Sequence, residues 1–120
     1  MSEKTDLQSL PLLPIKNTVL FPSLLVPFSV GRTLSMAAVE AALATEEKEI
    51  IVLTQRDASI PEPTQSDLFT IGTKAVIKKM SRQDDYFELI VHGLERVSIQ
   101  RVAKRDNKYL EATVRPSPVV

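Results

Sequence analysis

The chain has 120 residues, 43% of them hydrophobic and 25% charged, which is ordinary globular composition and enough length for one domain with a single core. Fifteen basic side chains balance fifteen acidic ones, which removes the usual electrostatic argument for nucleic acid, since phosphate recognition needs a clustered positive surface. Without cysteine there is no disulfide framework, thiolate metal site or thiol nucleophile, and no apolar run approaches the ~20 residues of a membrane-spanning helix.

The opening M-S-E-K-T-D-L-Q-S is polar. It lacks the basic start and apolar centre of a secretory signal and the Arg-rich, acid-poor pattern of a transit peptide, so a cytoplasmic location is expected. Residues 1 to 8 read as a frayed, disordered tail. From Leu10 to Gly31 the chain is at its most apolar yet carries Pro11, Pro14, Pro22 and Pro27. Proline inside a helix removes a donor and clashes with the preceding turn, so this run is cut into extended pieces. Two short strands follow, Ser9–Leu13 and Leu24–Val30, joined by a loop around Asn17 and Phe21-Pro22. Pro27 predicts an edge or bulged position for the second.

Thr33 to Glu47 is rich in alanine and free of glycine and proline, a strong helix signal. Thr33 or Ser35 is the expected hydroxyl cap. Met36, Val39 and Leu43, with Ala42 beside them, form one narrow stripe that faces the sheet. Glu49 to Thr54 is a continuous β-branched run and predicts a strand buried on both faces. Gln55 to Asp67, with Pro61 and Pro63 around Glu62, predicts a surface loop long enough to serve a partner.

Ile71 to Val91 predicts a long hairpin. Alternation sends Ile71, Ala75 and Ile77 to one face and Lys74, Val76, Lys78 and Met80 to the other. With Ser81 to Asp85 as the turn, Met80 pairs with Tyr86, Lys78 with Glu88 and Ile77 with Leu89, a register that matches apolar with apolar and opposite charges. Gly93 breaks the strand or marks a bulge. Glu95 to Val102 continues with Val97 and Ile99 inward, Asp106-Asn107 is the next turn, and Tyr109 to Arg115 ends the sheet with Leu110, Ala112 and Val114 on one face. The abrupt P-S-P-V-V ending points to a chain cut from something longer, with residues 118 to 120 beginning a linker. The expected fold is α+β, mainly β: a mixed, mostly antiparallel sheet curled into a small pseudo-barrel with one helix.

Chemistry is scarce. Gly31, Gly72 and Gly93 are too far apart for either glycine-rich phosphate loop. His92 is the sole histidine; metal centres need several convergent ligands, and its expected strand partner is Lys74. Asp84-Asp85 falls in the predicted turn, where aspartate satisfies local backbone donors. Asp57, Glu62 and Asp67 lack the spacing and glycine of a calcium loop. The basic pairs Lys78-Lys79 and Arg101 to Arg105 lie near Glu88, Glu95 and Asp106 and read as solvated faces. No catalytic residue, metal ligand or cofactor site is expected. What remains is apolar surface. Phe21, Pro22, Leu24 and Leu25 exceed what a short loop needs for its own burial, and prolines preorganise that loop. Met80 and Tyr86, expected side by side, suit adaptable contact with apolar segments. The plain alternative is that the loop residues plug the barrel end.

The segments Leu10-Pro11, Pro14, Phe21-Pro22, Pro27 and Val30-Gly31-Arg32 resemble the opening of the N-terminal domain of Lon, the ATP-dependent AAA+ protease. Asp67-Leu68-Phe69, Ile71-Gly72-Thr73-Lys74-Ala75 and Val91-His92-Gly93-Leu94-Glu95-Arg96 continue the resemblance in the right order. It implies a six-stranded pseudo-barrel with a single helix, spanning residues 9 to 117, that recognises unfolded or misfolded protein substrates. It also implies other Lon subunits of a homo-hexamer as partners, with ATP, magnesium and the Ser/Lys proteolytic machinery of the parent enzyme outside this chain. A different class of answer is a stand-alone Lon-domain module binding RNA or a small ligand, since the barrel also resembles RNA-modification accessory domains. Zero net charge and few aromatics for base stacking argue against RNA. A third is a structural module that orders subunits.

Overall fold

The computed structural model describes residues 7–16, 20–56, 59, 68, 70–106 and 108–117. Expectations that rest on Asn17, Asp57, Pro61, Glu62, Pro63, Asp67 and Asn107, on residues 1–6 and on residues 118–120 lie outside them. The elements in chain order are β1 (Gln8–Ile15), β2 (Leu25–Val30), α1 (Thr33–Leu43), β3 (Glu49–Thr54), β4 (Ile71–Arg82), β5 (Phe87–Arg105) and β6 (Tyr109–Pro116). The sheet runs β2-β5-β4-β3-β1-β6, and β6 pairs back onto β5. Five strands therefore close a ring, while β2 hangs on β5 as an edge. Only β1 and β3 run parallel. This is the mainly-β architecture with one helix that the sequence predicts.

The prolines fit because of where the strands change partners. β1 pairs with β6 through Gln8–Pro11 and with β3 through Leu12–Ile15, so neither half is hydrogen-bonded on both sides. Ile15 O accepts the Gln55 amide. By alternation Pro14 turns its carbonyl and its missing donor to the opposite edge. Pro27 sits in the edge strand β2, as expected.

The run Ile50–Leu53 is buried throughout because β3 has core on both faces. Ile50 and Val52 join Leu13, Val39, Ala42, Ile77, Leu89 and Val91, while Ile51 and Leu53 join Leu12, Val97, Leu110, Ala112 and Val114. The helix supplies Ala38, Val39 and Ala42 to the first cluster, with Met36 and Leu43 partly buried beside them. It is shorter than expected. Thr45 Oγ1 donates back to Ala42 O at 2.8 Å and accepts the Lys48 amide at 3.1 Å, so a hydroxyl takes over carbonyl and amide duties that another helical turn would have needed. Neither Thr33 nor Ser35 caps the start. The N-cap residue is Arg32, with no side-chain cap bond, and Ser35 is buried.

The β4–β5 register also differs from expectation. Met80 pairs with Leu89, Ser81 with Glu88 and Arg82 with Phe87, and the turn is the four residues Gln83 to Tyr86, closed by Gln83 N–H to Tyr86 O at 2.8 Å. The later, tighter turn moves the pairing by three residues, and a bulge at Lys78, between Ile77 and Lys79, takes one of them back. The extra residue reverses the alternation, so Ile77 and Met80 both reach the core while Lys78 stays in water. Pairing rules for two isolated strands ignore that demand. A second irregularity places Leu94 as the extra residue beside Gly93, which therefore marks a bulge in an unbroken strand. His92 pairs with Val76, not Lys74. Ile71 is exposed at the first position of β4, where alternation has run past the core.

Thr73 is buried and donates its hydroxyl to Leu20 O at 2.6 Å, tying β4 to the segment before β2. Thr73→Val keeps the shape but leaves that carbonyl without its donor. The expected loss is about 1–3 kcal/mol of unfolding free energy, measured by urea denaturation.

Candidate functional site

The segment between β1 and β2 is seated on a glycine. Ser23, in the left-handed region at φ 71°, donates its amide to Gly93 O at 2.9 Å, and Gly93 N–H donates to Leu24 O at 2.9 Å. A Cβ on Gly93 would stand 2.6 Å from Phe21 O and 3.2 Å from Pro22 Cα, so only glycine admits this approach. Leu20, 2% exposed, fills the core beneath.

With the backbone held locally, the side chains turn outward. Phe21 is 50%, Leu24 48% and Leu25 62% exposed, and Pro22 is half-buried between them. The plug is Leu20, not Phe21, Leu24 or Leu25. The Arg96 guanidinium lies 5.1 Å from the Phe21 ring centroid, a cation–π contact that orients the ring. Leu94, exposed at its bulge, extends the apolar surface beside Gly93. Sequence reasoning missed Leu94 and Arg96; the signal was a glycine followed by leucine within a strand, where a bulge re-aims the next side chain.

Phe21, Pro22, Leu24 and Leu25 are thus brought together. Met80 and Tyr86 are not a pair: Met80 packs against the core, and Tyr86 stands exposed in the β4–β5 turn next to Gly31. Leu25 and Val30 bound β2, so Tyr86 lies at the far end of that strand from the Phe21 cluster, roughly 17 Å away at the usual strand rise, while Met80 pairs with Leu89, the partner of Phe28, midway along it.

Two grooves flank β2. One, about 470 Å³, lies over the sheet face between Pro27, Ser29, Lys79, Glu88 and Ile90. The other, about 370 Å³, lies between residues 13–16, at and just beyond the end of β1, and residues 28–32. Arg32 closes the second, donating to Pro14 O at 2.7 Å and to Gln55 Oε1 at 2.5 Å; burial lowers its pKa, and it stays charged. On β4, Lys74 bonds Glu95 at 3.1 Å and Gln8 Oε1 at 3.1 Å. No group of three His, Cys, Asp or Glu residues able to hold a metal occurs among the described residues. The arrangement suits binding through apolar side chains and backbone.

The family model of the ATP-dependent protease La (LON) substrate-binding domain matches residues 9–119. The chain belongs to the Lon substrate-binding domain family. It is 55% identical over 87 residues to the Lon protease of Nitrosococcus oceani, covering 72% of this chain and 11% of that protein. With the Lon protease of Solibacter usitatus it shares 39% identity over 116 residues, 96% of this chain and 14% of that one. The chain therefore spans only about one-seventh or less of these relatives. The fold matches the N-terminal domain of a Mycobacterium avium complex Lon protease with a TM-score of 0.75 at 23% identity, over 94% of this chain and 56% of that one. A Xanthomonas campestris Lon N-terminal domain protein follows at 0.68 and 22% identity, over 92% and 60%. The motifs that carry the Lon resemblance also have structural jobs in this domain: Arg32 latches β1, Thr73 anchors Leu20, and Gly93 seats the Phe21 segment. Among the described residues no helix is long and apolar enough to cross a membrane.

Proposed function

We propose that this Lon domain captures unfolded or misfolded protein segments for an ATP-dependent protease whose ATPase and Ser/Lys proteolytic sites lie outside these 120 residues. The reading rests on one observation: Phe21, Leu24 and Leu25 are held outward in water by a segment fixed to Gly93 through the Ser23 amide and the Leu24 carbonyl. A rigid apolar cluster costs little to order when a client arrives. In the parent enzyme, placed in the cytoplasm and assembled as a hexamer with ATP and magnesium, six such weak sites act together through effective concentration. Tyr86 forms a subsidiary contact at the other end of β2.

Reduced and carboxymethylated serum albumin, a permanently unfolded chain, supplies the test by NMR titration. Resonances of Phe21, Leu24 and Leu25 shift first, with smaller shifts at Tyr86. The triple substitution Phe21→Ser, Leu24→Ser, Leu25→Ser weakens binding roughly tenfold to a hundredfold, as expected when partial burial of three apolar side chains is lost. Unchanged affinity, with an unchanged melting curve, would refute the assignment.

A further inference from the structure

The capture reading leaves open what holds the client between the two ends of β2, and the strand itself supplies an answer. Leu24 O faces β5, where it accepts the Gly93 amide. Alternation then turns the polar groups of Val26, Phe28 and Val30 to β5 and those of Leu25, Pro27 and Ser29 to the other edge. Among the described residues β2 pairs with β5 alone, and Leu25, Pro27 and Ser29 are all exposed. Two donors and three acceptors thus line an open edge about six residues long. The groove of about 370 Å³ continues that edge toward Arg32. Its far wall offers no competing partner at Pro14, which lacks a donor and whose carbonyl already accepts from Arg32.

We propose that a client segment binds this Lon domain as an added β-strand along the free edge of β2, one end anchored on Phe21, Leu24 and Leu25. This rests on the capture reading and gives it a mechanism. Main-chain hydrogen bonds supply affinity that does not depend on client sequence, which is what a domain matched to a substrate-binding family needs from chains of varied composition. Pro27 selects the occupant. A second copy paired strand to strand about Pro27 would face two donorless prolines across the centre, leaving both carbonyls without a bond. An extended client presents its own N–H to Pro27 O. Edge prolines discourage self-association in this way while leaving the edge usable.

The test follows backbone amides of the whole 120-residue chain by hydrogen exchange, with and without saturating reduced and carboxymethylated albumin. Leu25 and Ser29 amides exchange rapidly in the free domain and slow at least tenfold in the complex. Ser29→Pro, which deletes a donor on the free edge and none on the β5 side, weakens binding about fivefold, the equivalent of one hydrogen bond. Binding that shifts Phe21, Leu24 and Leu25 but leaves both amides exchanging as before overturns strand addition and leaves the apolar capture standing. No binding of any kind overturns the capture reading, and this inference with it. Should Ser29→Pro fail to fold, exchange in the unaltered chain decides.

Discussion

Gly93→Ala is expected to destabilise the domain by about 3 kcal/mol and to loosen the apolar cluster with it. A single methyl at that position would stand 2.6 Å from Phe21 O and 3.2 Å from Pro22 Cα. Both are main-chain atoms that no side-chain rotation can move aside. The segment must lift, and its two bonds to Gly93, each 2.9 Å, lengthen or break. The sign is diagnostic. Where the backbone tolerates alanine, replacing glycine stabilises by ~0.4–1 kcal/mol through the unfolded chain. Urea denaturation of the two proteins separates the cases, and a neutral or stabilising alanine would mean that the segment does not rest on Gly93. Client affinity should fall in parallel, because Phe21, Leu24 and Leu25 lose their common platform.

Arg32→Met should cost about as much, roughly 3 kcal/mol, for a different reason. Arg32 lies between β2 and α1 as the N-cap of the helix, and reaches Pro14 O at 2.7 Å and Gln55 Oε1 at 2.5 Å. One planar cation thus joins β1, the end of β3 and the helix start. Bonds to charged groups are worth about 1.5–3 kcal/mol each; methionine keeps the apolar stem but supplies no donor to the buried Pro14 carbonyl. Arg32→Lys is expected to recover less than half the loss, since an ammonium is a point charge and lacks the fork that spans two acceptors. Urea denaturation of the three proteins measures this, and full rescue by lysine would show that charge alone, not geometry, holds the junction.

Much of the architecture was legible because burial imposes period. Leu110, Ala112 and Val114 alternate and are buried on one face; Ile50 to Leu53 do not alternate and are buried on both. Pro27 announced an edge or a bulge and Gly93 a strand break or a bulge; the structure makes the first an edge and the second a bulge. The β4–β5 register was not legible. Pairing charges and apolar residues across two strands chose Met80 opposite Tyr86, whereas the fold sets Met80 opposite Leu89. Cross-strand pairs contribute at most about 1 kcal/mol, less than burying Met80, Phe87 and Leu89 together, so the turn moves to Gln83–Tyr86 and a bulge at Lys78 keeps both Ile77 and Met80 on the core. The helix stop at Leu43 was hidden for a similar reason: Thr45 ends it through a local hydroxyl bond that composition does not reveal.

By itself the sequence determined that this is a cysteine-free, charge-balanced, mainly-β domain with one helix and an apolar segment cut by prolines, because those properties follow from residue type and period. Only the tertiary structure decided that Leu20 would be buried while its neighbours Phe21, Leu24 and Leu25 stay in water. That outcome depends on a missing Cβ seventy residues on, at Gly93, and on the Thr73 hydroxyl, contacts between segments that meet only once the ring of strands has closed.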